Sequence, residues 1–112
     1  MDCQEILSGL LLELRRGTLV LAVLSLLNRP TYGYNLIQTL SDNGVPVEAN
    51  TLYPLLRRLE TQGVLQSEWE TGGSKPRKYY ALTDEGRVVY GKLREHWREN
   101  VRHLDQLLEG EL

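Results

Sequence analysis

The chain has 112 residues, of which 41% are hydrophobic and 25% are charged, and its formal net charge is -2. This length suits a single domain, and this composition excludes a disordered or fibrous chain. The charge balance gives no overall basic field, so any nucleic-acid-binding surface has to be local. The single cysteine, Cys3, excludes an internal disulfide and a thiolate zinc cluster, and it indicates a reducing compartment.

The sequence contains no strong signal for export or membrane insertion. The longest apolar run without a charge, residues 17–28, is shorter than the ~20 residues that a membrane-spanning helix needs. Asp2 and Glu5 stand where a signal peptide carries positive charge. We therefore expect a cytoplasmic protein that makes no membrane contact.

The first predicted helix covers residues 5–29 and ends at Pro30, which cannot continue it. Its second half, residues 19–27, is apolar on nearly every side and is expected at the centre of the fold. Its first half has an apolar stripe that so small a chain has little else to cover, so we expect a partner chain to cover it. The stripe consists of Leu7, Leu10, Leu11 and Leu14.

The next two predicted helices have the spacing of a helix-turn-helix motif. One begins near Thr31 and ends at Asn43 and Gly44, and the other covers residues 49–62. A leucine stripe marks the buried side of the latter helix, and polar residues mark its outward side. Its start is left open, because either Asn50 or Glu48 can be the capping residue ahead of Pro54.

After Gly63 the residues alternate between two faces with a repeat of two residues, as in a strand, and two such runs predict a β-hairpin. Residues 65–70 and 77–83 alternate between the two faces, and residues 71–76 form a turn cluster at a basic tip. Thr83 then begins a last helix that runs to about Glu109. This order predicts a mainly α (α+β) fold, a winged helix-turn-helix with a two-stranded wing. Residues 1–83 are expected to form the winged-helix part and residues 84–112 a long C-terminal dimerisation helix.

Positive charge is concentrated in the third helix and the hairpin. Residues 51–83 hold five basic and three acidic side chains, whereas the segments before and after each hold two more acids than bases. A local basic patch of this kind is what phosphate contact requires. A plain surface helix with two solvated arginines and a solvated loop is the alternative interpretation.

Four stretches resemble the PadR-type transcriptional regulators: TLYPLLRRLE at residues 51–60, RGTL at 16–19, YGY at 32–34 and RKYYALTDEG at 77–86. The single C-terminal helix is similar to that of the compact subfamily. The resemblance implies a homodimer that binds a palindromic operator in double-stranded DNA, usually as a repressor, with the third helix in the major groove. Glu48 departs from the small capping residue usual there. The residues implied in DNA binding are Tyr32, Tyr34, Asn50, Thr51, Tyr53, Arg57, Arg58, Lys75, Arg77 and Lys78.

The last predicted helix carries an apolar stripe with heptad-like spacing, which suits a dimer interface. The stripe consists of Tyr90, Leu93, Trp97, Val101, Leu104, Leu107 and Leu108. Trp97 beside its symmetry mate would form a slot for a flat aromatic or drug-like effector, and filling the dimer core is the alternative role.

No set of a nucleophile, a base and an orienting group is visible, so we expect no enzymatic activity, no metal and no cofactor. Two other functions stay open. One is a winged-helix protein–protein module, and the other is a small-molecule sensor that does not bind DNA directly.

Overall fold

Five helices and three strands make up residues 1–110, the part of the chain that the computed structural model describes. In chain order they are α1 (Cys3–Arg16), α2 (Leu19–Ser25), β1 (Thr31–Tyr32), α3 (Gly33–Asp42), α4 (Ala49–Thr61), β2 (Leu65–Glu70), β3 (Arg77–Leu82) and α5 (Asp84–Leu108). The predicted α+β winged helix-turn-helix is confirmed. The last two residues of the predicted C-terminal segment, 111 and 112, lie outside the described residues.

The prediction of one helix over residues 5–29 is wrong, because the chain turns between α1 and α2. Glycine and a β-branched residue are poor helix formers, and they occupy the break at Gly17 and Thr18. The Thr18 hydroxyl donates to the Arg15 carbonyl at 3.1 Å, which favours a turn over a continuous helix. Helix α2 also ends early, since the amides of Leu26 and Leu27 bond to carbonyls three residues back, in a tighter turn.

The second predicted helix begins two residues later than expected, because Thr31 and Tyr32 form a short strand instead. This strand pairs antiparallel with β3, with Thr31 opposite Tyr80 and Tyr32 opposite Tyr79. The sheet therefore has three strands in the order β1-β3-β2, where the sequence predicted two. Because α3 begins directly after β1, the pairing of β1 with β3 fixes the start of α3 beside the wing.

The hairpin of β2 and β3 has the register that the alternating pattern predicts. Leu65 lies opposite Leu82 at its base, and Glu70 lies opposite Arg77 beside the turn. One face of this hairpin packs against α4, and residues 71–76 form the exposed tip.

The hydrophobic core is shared by α2, α3, α4 and the sheet, and α1 contributes no buried residue to it. Residues of α2 are the most central, since Val23 and Leu24 have no solvent exposure. This agrees with the apolar character predicted for that segment. Within residues 1–110, no helix is both long and apolar enough to cross a membrane.

The start of α5 is fixed against the corner between α4 and β2. Thr83 caps the helix, since its hydroxyl accepts from the Gly86 amide at 2.9 Å, and its own amide donates to the Val64 carbonyl at 3.1 Å. Gly86 lies so close that a Cβ atom there would stand 2.0 Å from the Val64 carbonyl oxygen. Only glycine allows α5 to leave the domain at this angle.

Candidate nucleic-acid interface

Helix α4 separates a leucine face from a polar face, as its sequence predicts. Leu52, Leu56 and Leu59 are buried in the core. The polar side chains on the other face are exposed to solvent: Asn50, Thr51, Arg57 and Arg58. Because the leucines anchor the helix rigidly, these four groups are held at the surface by the core itself.

The start of α4 is settled in favour of Glu48. Glu48 has an extended backbone, precedes the first helical residue, Ala49, and makes no capping hydrogen bond with its side chain. Pro54 therefore lies inside the helix, where it cannot donate to the Asn50 carbonyl.

Tyr53, predicted to contact DNA, is half-buried and packs against the first turn of α3. A Cβ atom placed on Gly33 would stand 2.7 Å from the Tyr53 ring carbon Cε1 and 3.3 Å from its hydroxyl oxygen. The ring therefore lies directly on the Gly33 backbone. Tyr53 joins the two helices of the helix-turn-helix, a role that the sequence analysis did not predict.

Tyr32 and Tyr34 stand at the start of α3, as predicted, and their rings are stacked. The ring centroids are 5.8 Å apart and the planes differ by 7°. Tyr32 occupies the residue position just before the helix, makes no capping hydrogen bond with its side chain and is half-buried, whereas Tyr34 is 50% exposed. The Tyr34 hydroxyl is therefore accessible at the surface beside the wing.

The Arg77 side chain extends from β3 and contacts both of these tyrosines. Its guanidinium carbon lies 4.5 Å from the Tyr32 ring centroid, and its Nη1 donates to the Tyr34 hydroxyl at 3.3 Å. Its Nη2 forms an ion pair with Glu70 Oε1 at 3.0 Å. The Tyr32 hydroxyl donates to the other oxygen of the Glu70 carboxylate. These contacts form a four-residue cluster, the tyrosine–arginine cluster, between the wing and α3.

The hydrogen bonds of this cluster shift the pKa values of its members. The bond from Tyr32, followed by that from Arg77, lowers the pKa of the Glu70 carboxyl. The same bond to Glu70 raises the pKa of the Tyr32 hydroxyl. The contacts with Tyr34 and Glu70 raise the pKa of Arg77. Glu70 is therefore ionised and Arg77 charged at neutral pH.

Lys78 points from the opposite face of β3 towards α4. Its Nζ lies 3.8 Å from the Glu60 Oε1 atom, 5.7 Å from the Trp69 ring centroid and 5.5 Å from the Tyr80 ring centroid. The other Glu60 oxygen accepts from the Ser67 hydroxyl at 2.5 Å. Of the three basic residues predicted on the wing, Lys75 alone has no carboxylate within ion-pair distance in residues 1–110.

Sequence reasoning missed the acidic partners, Glu60 and Glu70. The partner of Arg77 could have been found, because counting back from the six-residue turn places Glu70 opposite it, and opposite charges favour such cross-strand pairs. The partner of Lys78 had no comparable signal, since Glu60 lies on α4 and meets the wing only in the folded chain.

The two apolar stripes predicted for dimerisation are largely exposed. Leu14 of α1 is 71% exposed and Trp97 of α5 is 42% exposed. Tyr90 differs, because it is half-buried and packs against the core of its own domain. The other exposed members are Leu7, Leu10, Leu93, Leu104, Leu107 and Leu108, and Leu11 and Val101 are half-buried.

Comparison with known proteins agrees with this architecture. Residues 20–92 match the model of the Transcriptional regulator PadR-like family. The structure of a PadR family transcriptional regulator from Eggerthella lenta is 57% identical, with a TM-score of 0.90 over 95% of each chain. A PadR-like transcription factor from Bacteroides fragilis is 35% identical, with a TM-score of 0.73 over 88% of this chain and 98% of that one.

A transcriptional regulator from Mycobacterium tuberculosis is 37% identical over 73 residues, which cover 65% of this chain and 68% of that protein. The matched segment in the family model runs from α2 through the helix-turn-helix and the wing into α5. The chain therefore belongs to the PadR-like family of transcriptional regulators.

Proposed function

We propose that the protein is a repressor that binds a palindromic operator as a homodimer, with α4 in the major groove and the wing on the phosphate backbone. The observation that carries this proposal is the polar face of α4, where Asn50, Thr51, Arg57 and Arg58 are exposed on a helix that the core holds in place. Amide, hydroxyl and guanidinium groups are the donors and acceptors that read base edges and phosphates.

Within this surface, Arg57 reads bases and Lys75 holds phosphate. Arg57 lies on the rigid helix opposite the buried leucines, which suits a bidentate contact with guanine. Lys75 lies on an exposed turn next to Gly72 and Gly73, which suits a looser ionic contact. Base contacts carry sequence information and phosphate contacts do not, so the two residues have separable effects.

The test begins with selection of bound sequences from a random DNA pool, which yields the operator. Arg57→Ala should then cost about 1–3 kcal/mol on the operator and relax specificity at one position. Lys75→Ala should weaken operator and random duplex equally and flatten the salt dependence. Arg98→Ala on α5 removes the same charge away from the proposed surface and is the matched control. Identical effects of the first two variants on both DNAs would contradict this division of labour.

A protein without DNA affinity remains the alternative that the same experiment decides. A winged-helix protein–protein module keeps its function when the side chains of Arg57 and Lys75 are removed. It also shows no salt-dependent binding to random duplex. A DNA-binding protein weakens steeply as salt rises, because each neutralised phosphate releases counterions.

Dimerisation is supported by the apolar surface that the single chain leaves uncovered. Helix α1 buries no residue in its own domain, and the outer part of α5 exposes Leu93, Trp97 and Leu104. Exposed apolar area of this extent on two helices suits a two-fold interface, in which α1 and α5 of two copies pack together. Sedimentation should give a dimer at micromolar concentration. A well-folded monomer would contradict both the interface and the palindromic operator.

We further propose that Trp97 binds a flat aromatic effector at the two-fold axis and so changes DNA affinity. Its 42% exposure in one chain supports a site there, and two facing indoles form a slot for stacking. Fluorescence titration with planar aromatic cations is the test, in a Trp69→Phe variant so that Trp97 alone reports. Absence of saturable quenching leaves Trp97 only the role of filling the dimer core. We place the protein in the cytoplasm, where DNA is available to it.

A further inference from the structure

The wing carries its positive charge next to carboxylates of the same chain. Residues 51–83 hold three acidic side chains, and two of them pair with wing bases. Glu70 pairs with Arg77 at 3.0 Å, and Glu60 lies 3.8 Å from Lys78. The third acid, Glu68, accepts a hydrogen bond from the Tyr79 hydroxyl at 3.0 Å and pairs with no base in the described chain.

Glu70 and Arg77 each make further contacts with the tyrosines, and these contacts hold the ion pair in place. One oxygen of the Glu70 carboxylate accepts a hydrogen bond from the Arg77 guanidinium, and the other accepts one from the Tyr32 hydroxyl. The guanidinium in turn rests on the Tyr32 ring and reaches the Tyr34 hydroxyl. Both partners stay about 40% exposed, so a phosphate can reach the arginine where the carboxylate now holds it.

We infer that Glu70 and Glu60 compete with DNA phosphate for Arg77 and Lys78, and that they thereby attenuate DNA affinity. This inference rests on the proposed DNA-binding function. The carboxylates occupy, in the free protein, the positions that phosphate oxygens take in the complex. Each ion pair has to break before its base can contact DNA. The free energy needed to break the pair makes the binding free energy less favourable by the same amount.

The size of the effect follows from the exposure of the pairs. Exposed ion pairs are weak, so phosphate displaces the carboxylate and each pair lowers affinity by about two- to fivefold. Phosphate contacts carry no sequence information, so operator and random duplex lose affinity by the same factor. The attenuation therefore sets how tightly the protein binds and leaves unchanged which sequence it prefers.

The test is Glu70→Gln, which keeps the shape of the side chain and removes its charge. Affinity for operator and for random duplex should rise about two- to fivefold at low salt, and the gain should shrink as salt screens the pair. In an Arg77→Gln background the same Glu70→Gln change should give only the small gain that comes from removing one negative charge, because the base that it frees is absent. A gain as large as the one without Arg77→Gln would overturn the inference.

Glu68→Gln is the matched control, since it removes the same charge from the same strand without releasing a base. It should change affinity by less than Glu70→Gln does. Equal gains from the two variants would show that net charge is responsible, and they would overturn the inference.

Glu60→Gln, with and without Lys78→Gln, repeats the experiment on the second pair and on a separate face of the wing. Thermal melting of every variant shows that it is folded, and the second pair decides the matter if Glu70→Gln does not fold. Salt-dependent DNA binding by the natural protein with no gain in either variant overturns this inference alone, whereas absence of DNA binding overturns the proposed function with it.

Discussion

Replacing Gly86 by alanine should strongly destabilise the fold, because α5 leaves the domain in contact with the Val64 backbone. The new Cβ would stand 2.0 Å from the Val64 carbonyl oxygen, whereas carbon–oxygen contacts in proteins settle at about 3.3 Å or more, so α5 has to move by roughly 1.3 Å. Backbone cannot rotate away as a side chain can. The movement strains the bonds at 3.1 Å from the Thr83 amide and at 2.9 Å from the Gly86 amide.

The magnitude follows from these contacts. Overpacking costs about 1–3 kcal/mol, and each weakened hydrogen bond adds about 1 kcal/mol. Alanine regains only about 0.5–1 kcal/mol as a better helix former. The net loss is about 3 kcal/mol, which lowers the Tm of a domain of this size by roughly 10–20 °C.

Thermal melting at one fixed protein concentration is the assay, because self-association would make the Tm depend on concentration. Gly91→Ala is the matched control, since it lies on the same helix and a Cβ there meets no atom within 4 Å. The control should stabilise the protein slightly, so identical substitutions five residues apart on one helix should act with opposite signs. If Gly86→Ala melts within about 2 °C of the natural protein, α5 is not held against the Val64 backbone in the way described.

Three further predictions concern the core, the helix-turn-helix and the tyrosine–arginine cluster. Leu56→Ala removes a fully buried side chain and should cost about 2–5 kcal/mol in denaturant unfolding, and a loss below 1 kcal/mol would contradict its place in the core. Gly33→Ala should displace the Tyr53 ring, lower the Tm and weaken operator binding, and the added change Tyr53→Leu should restore the Tm because it removes the clash. The pKa of Glu70 is lower in the folded chain than its ordinary value of 4.5, so its charge stabilises the fold above that pH and the contribution disappears as the pH falls through the folded value. The difference in Tm between the natural protein and Glu70→Gln should therefore be largest well above pH 4.5 and shrink as the pH falls below it, and a constant difference would contradict the prediction.

The helices and the hairpin were predictable wherever a hydrophobic period is sustained. Helix α4 keeps the helical repeat of hydrophobic residues over 13 residues, and strands β2 and β3 keep the two-residue repeat of a strand over 6 residues each. These lengths are sufficient to distinguish a helix from a strand. Strand β1 was missed because two residues have no period, and it forms only where β3 supplies hydrogen-bond partners. The break at Gly17 and Thr18 was missed because the apolar pattern continues across it.

The exposed polar residues of α4 were likewise predictable, since its leucine face determines which side chains point outward. Their partners depend on distance in space: Tyr53 meets Gly33, and Lys78 meets Glu60, across elements that the sequence separates.

Periodicity and composition predicted α4, β2, β3 and α5, the buried face of α4 and the local excess of positive charge, because both act between near neighbours in the chain. Tertiary structure alone decided that Lys78 faces a carboxylate and that Tyr53 joins two helices. It also decided that α5 is held at Gly86. These contacts depend on the angles at which the elements pack, and those angles follow from how the side chains of the whole core fit together.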